Sequence, residues 1–280
     1  MRPRIVVPVE ETPRSERALP VAAALARRME TSLVLVTVLE WPFAADPAHA
    51  GYHERLMESY PDLSAESVVI RSAEDTSKAI ISACEPDDIV CMGADHTSVL
   101  GEILQRSVFF DMVRHSHHPV VAVGPHARIP EGATEFVLCV DGFEYAEHGL
   151  SLIRSVGAFA KLRPTLLQVV NPERGDSKGS GDDSEANYLR TLTSKEGVAK
   201  GLPWDILHGE PVTTISTFCS NLEVAAIGFA TDALDPLVRL LSPSLANELI
   251  ATSTRPVVLV ASERRPNIER HLIPSSVATR

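Results

Sequence analysis

The strongest constraint in this sequence is that one succession of elements is written twice. Residues 4–9 (Arg-Ile-Val-Val-Pro-Val) form a short β-branched run, and Ala18, Leu19, Ala22, Ala23, Leu25, Ala26 and Met29 fall at helical spacing within 17–30. With a second apolar run at Leu33–Leu39 the chain opens as β-α-β. The spacing predicts helices at 50–59, 74–84 and 107–115 and strands at 67–71, 89–92 and 119–123. The order then returns, with strands at 136–140, 165–170, 204–207, 224–227 and 256–260 and helices at 146–160, 185–198, 211–219 and 243–251. Ile80 matches Ile215, Gly93 matches Gly228 and Ser107 matches Ser242 at one constant spacing, and Val38 matches Val169 at a spacing four residues shorter. A repeat this regular is the mark of a duplicated unit.

Strands that alternate with helices imply a parallel sheet wound on both faces. The expected fold is therefore α/β, with two doubly wound, Rossmann-like units of five parallel strands in tandem. The units are expected at 1–126 and 133–262, parted by Gly124-Pro-His-Ala-Arg-Ile-Pro-Glu-Gly132, where Pro and Gly break both periodicities. Residues 171–184 and the tail 263–280 lack periodicity and are expected to be mobile. Both units end on the same kind of strand, Pro119-Val-Val-Ala-Val123 and Pro256-Val-Val-Leu-Val260, so the units should pack with approximate two-fold symmetry.

Composition narrows the function. With 44% apolar residues the chain can build a core, and a net charge of −11 argues against general phosphate neutralisation on nucleic acid. Cys84, Cys91, Cys139 and Cys219 form no C-x-x-C pair, which points to reduced thiols rather than a zinc knuckle or disulfide framework. No apolar run approaches the roughly 18 residues a membrane helix needs. Ile5-Val6-Val7 passes into Glu10-Glu11 without a signal-peptide core. The expected setting is the cytoplasm, without membrane or nucleic-acid partners.

Cys139-Val-Asp-Gly142, Leu167-Gln-Val-Val170, Met92-Gly93, Arg106-Ser107-Val108 and His118-Pro-Val-Val121 give the chain a resemblance to the universal stress proteins in their tandem two-domain form. The resemblance spans nearly the whole chain. It implies a stress-response regulatory protein rather than an enzyme, and ATP as cofactor in those members whose Gly-x-x-Gly, nine residues, Gly-Ser/Thr loop is intact. It also implies that the last strand of a unit pairs with its counterpart, and so self-association, commonly as a dimer, through sheet edges. Glycine is wanted in such a loop because backbone N–H groups must approach phosphate oxygens closely at a helix N-terminus.

Both copies depart from that loop. The first reads Gly93-Ala-Asp-His96, then Arg106 ahead of Ser107; the second reads Gly228-Phe-Ala-Thr231, then Leu241 ahead of Ser242. The acid after the first strand is Glu10 in one copy and Asp141 in the other. By the resemblance an adenine would lie near Pro8 and Val38, or near Val169 in the second copy. Phosphates would lie near Gly93, His96, Arg106, Ser107 and Val108, or near Gly228, Thr231 and Ser242. Two readings stay open. In one, His96 and Arg106 hold a phosphate by charge, Arg being suited to bidentate contact. In the other, the cradle is lost, those side chains fill it, and the chain is a nucleotide-independent scaffold that recruits protein partners. Any anion is expected in the first unit, because Leu241 brings no charge.

Other chemistry is weaker. His115-Ser-His117-His118 falls where a helix ends, which suits capping better than metal. No serine lies in Gly-x-Ser-x-Gly, so no acyl-transfer site is legible. Glu10, Glu11 and Glu16 stand beside a helix start, where acids match the helix dipole. Trp41, Phe43, Phe109, Phe110, Trp204 and Phe218 lack basic interleaving and suit core or interface, and Arg264, Arg265 and Arg270 make a locally basic tail.

Overall fold

The computed structural model describes residues 2–40, 51–72, 75–94, 108–140, 146–158, 160–171, 182–194, 199–221, 223–231 and 243–261. The first half contains β1 (Ile5–Pro8), α1 (Pro13–Glu16), α2 (Ala18–Met29), β2 (Leu33–Glu40), α3 (Tyr52–Met57), β3 (Ala65–Ser72), α4 (Thr76–Ser82), β4 (Ile89–Gly93), α5 (Val108–His115) and β5 (Val120–Val123). The second contains β6 (Glu135–Val140), α6 (Ala146–Leu152), β7 (Arg163–Val170), α7 (Asp182–Ser194), β8 (Trp204–His208), α8 (Pro211–Asn221), β9 (Val224–Thr231), α9 (Pro243–Thr252) and β10 (Val257–Ala261). Past α6 the chain continues as a π-helical stretch, Ile153–Ala158.

The strands join in one ten-stranded sheet, order β3-β2-β1-β4-β5-β10-β9-β6-β7-β8. Each half reads outward in the same order, and the seam is the antiparallel pair β5–β10, with Val121 opposite Val258. The other strand pairs are parallel. The strands of one half therefore run opposite to those of the other, and the C-terminal rims of the two halves lie at opposite ends of the sheet. Because β5 and β10 satisfy each other, β3 and β8 are the edges.

Alternation along each strand sorts side chains into two buried layers. Ile5, Val7, Leu33, Leu35, Phe136 and Leu138 meet α2 and α6 on one face, where Leu25 and Leu152 are fully buried. Val6, Val34, Val90, Val137 and Ile227 meet α4, α5, α8 and α9 on the other, through Ile80, Met112, Ile215 and Leu249. Continuous apolar strands covered on both faces are what a parallel sheet requires.

The register corrects one match made from sequence spacing. Gly93 pairs with Val123, the last valine of its closing strand, whereas the last valine of the second closing strand, Val260, pairs with Ala230. Gly228 pairs with Val258 and so holds the place of Cys91, which pairs with Val121. A register shift at Glu135/Phe136 accompanies this difference. Gly228 is thus a core position: a Cβ there would lie 2.6 Å from Phe136 Cζ and 3.1 Å from Leu138 Cδ1.

Candidate functional site

In the first half β1 lies between β2 and β4, so the chain reverses its winding at the C-terminal ends of β1 and β4, where open α/β sheets form a crevice. Beyond β1 the backbone turns into α1. Thr12 caps it, its Oγ1 accepting from Ser15 N at 3.3 Å, and Pro13 takes the first helical position. The buried Ser15 hydroxyl accepts from Glu10 N at 3.1 Å and donates to the Glu10 carbonyl. Tyr52 Oη lies 2.9 Å from that carbonyl and 3.0 Å from Glu16 Oε1. Burial, and then the Glu16 carboxylate, push the Tyr52 hydroxyl well above its ordinary pKa, so it remains a donor.

A second buried set reaches the same turn from below. Thr37 Oγ1 donates to the Val9 carbonyl at 2.9 Å and lies 2.8 Å from His53 Nε2, while His53 Nδ1 lies 2.6 Å from Ser67 Oγ. With the Thr37 proton given to Val9, His53 Nε2–H is the donor and Nδ1 the acceptor. The turn after β1 is therefore fixed from α1, α3, β2 and β3 at once. Tyr52, Thr37, His53 and Ser67 did not stand out in the sequence, because the fold collects them from distant segments that share no local pattern.

Of the expected site residues, Pro8, Val38, Gly93 and Val108 stand partly exposed, the first three at the C-terminal ends of β1, β2 and β4 and the last at the start of α5. Glu10 is exposed and pairs with Arg14 at 3.0 Å. Gly93 has its own reason to lack a side chain: a Cβ would lie 1.9 Å from the Arg14 carbonyl oxygen, so the glycine admits the backbone of α1. In the second half Val169 lies near the end of β7 and Thr231 ends β9. His96, Arg106, Ser107, Asp141 and Ser242 lie outside the described residues, as do Trp41, Phe43, Leu241 and the tail.

The histidine cluster serves the end of α5. His115 Nδ1 lies 3.0 Å from the Asp111 carbonyl, His118 N donates to Ser116 Oγ at 3.0 Å, and His118 Nδ1 lies 3.1 Å from the Asp88 carbonyl. Among the described residues no group of three His, Cys, Asp or Glu side chains is placed to hold a metal ion. The four cysteines are unbridged, and burial pushes Cys84 and Cys219 up to about 12, so they are thiols at neutral pH. Among the described residues no helix is long and apolar enough to cross a membrane.

The architecture has solved counterparts. A universal stress protein from Archaeoglobus fulgidus superposes with a TM-score of 0.64 at 17% identity, covering 93% of this chain and 98% of that one. A functionally unknown protein from Pseudomonas aeruginosa gives 0.59 at 16% identity, with 92% of each chain covered. The cytoplasmic domain of a prokaryotic cation chloride cotransporter gives 0.54 at 12% identity, covering 94% of this chain and 96% of that one. These likenesses establish a shared fold. No curated protein matches the sequence. In sequence, it is the half bearing β1 to β5 and the crevice between β1 and β4, residues 1–124, that matches the universal stress protein family.

Proposed function

We propose that the chain is a stress-response regulatory protein of the universal stress protein type, built as two units in tandem, non-enzymatic and cytoplasmic. The observation that carries this reading is the sheet itself: a first half that matches the family continues across an antiparallel seam into a second half of the same strand order. In this reading an adenine nucleotide, ATP, binds in the first half. Pro8 and Val38 frame the adenine at the C-terminal rim, and Arg106 with Ser107 takes the phosphates. The first half is favoured because Gly228 is core in the second, where Phe136 occupies the space beside it.

A second reading has its own support. Gly93 is accounted for by the Arg14 carbonyl and Gly228 by Phe136, so neither glycine needs a phosphate to explain it. On this reading the nucleotide site is lost and the chain is an interaction scaffold, recruiting protein partners or a second copy through the β3 or β8 edge. Titration with ATP and Mg²⁺ separates the two. Nucleotide binding by the wild type that Arg106→Ala abolishes supports the first; affinity that appears only in Arg106→Gly marks Arg106 as an obstruction. Absence of binding in all three, with no nucleotide retained in native mass spectrometry, leaves the scaffold.

A further inference from the structure

Ser67 and His53 form a hydroxyl–imidazole pair whose polarity is fixed from behind. Thr37 Oγ1 gives its proton to the Val9 carbonyl at 2.9 Å, so it accepts from His53 Nε2, 2.8 Å away. The other ring nitrogen, Nδ1, is then the acceptor for Ser67 Oγ at 2.6 Å. A hydroxyl within hydrogen-bond reach of a base, with a third group orienting that base, is the arrangement that activates a serine. His53 and Thr37 are buried, whereas Ser67 is exposed. The base is thus sheltered and the hydroxyl it serves stands at the surface.

The backbone at Ser67 adds a donor. Leu33 N donates to the Ser64 carbonyl, and Leu35 lies opposite Ser67 in the same parallel ladder. In that pattern Glu66 and Val68 bond β2, and the Ser67 N–H points to the open side of the edge strand. Hydroxyl and N–H therefore belong to one exposed residue, and the N–H can serve an oxyanion formed on a carbonyl that the hydroxyl attacks. The fold itself does not require this set. Leu166 holds the place of Leu35 in the second half, which puts Gln168 at the place of Thr37 and Trp204 at that of Ser67. Gln168 Oε1 is buried there without a hydrogen-bond partner, so the second half closes the same layer with no such relay.

We propose that Ser67 is a nucleophilic serine that accepts an acyl group from an activated ester or thioester, with His53 as its general base and Thr37 as the positioning residue. Ser67 Oγ bonds to the acyl carbon as its proton passes to His53 Nδ1, and the carbonyl oxygen takes the negative charge. Collapse of that intermediate breaks the bond to the leaving thiolate or aryloxide, which takes the proton from Nδ1. The products are an ester on Ser67 and a free thiol or phenol, with nothing oxidised or reduced. Acceptance is stoichiometric, so it marks a modification site on a non-enzymatic chain, and it does not depend on the nucleotide reading.

The test exposes the intact protein to p-nitrophenyl acetate and follows acetylation of each serine by peptide mass spectrometry over time. Ser59, also exposed, is the internal reference. Ser67 should be acetylated on the order of 100-fold faster than Ser59, the lower range of what a positioned base supplies. Ser67→Ala, a change at the exposed edge, should remove the fast phase of p-nitrophenolate release. His53→Gln should bring Ser67 down to the rate of Ser59. Thr37→Val should slow it about tenfold by freeing the ring to adopt the other tautomer, and Thr37→Ser should restore it. The proposal is overturned if Ser67 in the wild type reacts no faster than Ser59, if the fast phase survives Ser67→Ala, or if His53→Gln leaves the Ser67 rate unchanged. The comparison of Ser67 with Ser59 is made within the wild type, so it decides the matter even where a variant at His53 or Thr37 fails to fold.

Discussion

Asp88 holds a charge almost out of water. Its side chain is 2% exposed, and Arg4 meets it with Nη2 at 2.6 Å and Nε at 3.2 Å, while the backbone N–H groups of Arg4 and Glu85 donate to it as well. Burial raises its pKa, but the Arg4 and backbone bonds together outweigh that and hold it below the ordinary carboxylate value. A carboxylate depressed in the fold stabilises the protein above its unfolded pKa, about 3.9, and that stability is lost as pH falls through the lower folded value. Asp88→Asn should cost about 3 kcal/mol at pH 7 by urea unfolding, the low end for breaking a buried pair, because Arg4 keeps Glu66 and Glu85. The gap between variant and wild type should narrow below about pH 4; a gap that is constant with pH would refute the role of its charge. Thr37 makes the parallel case without charge. Thr37→Val removes the hydroxyl that joins Val9 to His53 and should cost about 1–3 kcal/mol, while Thr37→Ser should cost much less.

At the scale of elements, the two halves reach the same layer with different side chains. Ile5 and Cys91 lie on the face that packs α2; at the corresponding places on β6 and β9 stand Phe136 and Gly228, a larger residue beside a smaller one. Gly228→Cys alone drives the new Cβ into the Phe136 ring and should cost about 1–3 kcal/mol, as overpacking does. Phe136→Ile alone leaves a cavity. The double variant restores the first half's pair and should cost less than the two singles together; denaturation of all four proteins gives the coupling, and strict additivity would sink the argument. This exchange also shows what the sequence hid. The β-branched runs announced the strands, with ends displaced by a few residues, because burial on both faces leaves an unmistakable apolar signature. The four-residue α1 escaped notice as too short to show a period, and the run of β9 on to Thr231 was not legible because Gly228 reads in the sequence as the start of a loop. Spacing alone cannot tell a glycine that admits a phosphate from one that admits α1, as Gly93 does, or a phenyl ring, as Gly228 does, since all three demand the same missing Cβ.

Across the whole molecule, the seam is where the copies have diverged to fit one another. Glu30 and Lys161 occupy corresponding places after α2 and after the π-helical stretch, both in the left-handed region at φ 53° and 55°, and Lys161 Nζ meets Glu30 Oε1 at 2.6 Å. In a pair of identical units such residues would carry the same charge, so this contact favours the joining of unlike halves. One close approach at the seam is backbone against backbone: a Cβ on Gly124, just past β5, would lie 1.8 Å from the Ile250 carbonyl oxygen of α9. That oxygen belongs to a helix packed on the far half and cannot swing aside as a side chain tip would. Gly124→Ala must therefore separate α9 from the end of β5, at an expected cost of about 1–3 kcal/mol. Because the strain falls between the halves rather than within either, unfolding should lose cooperativity, with fluorescence and circular dichroism midpoints that no longer coincide. A single coincident transition at the wild-type midpoint would show that the seam tolerates the methyl group and that the close approach does not bind the halves together.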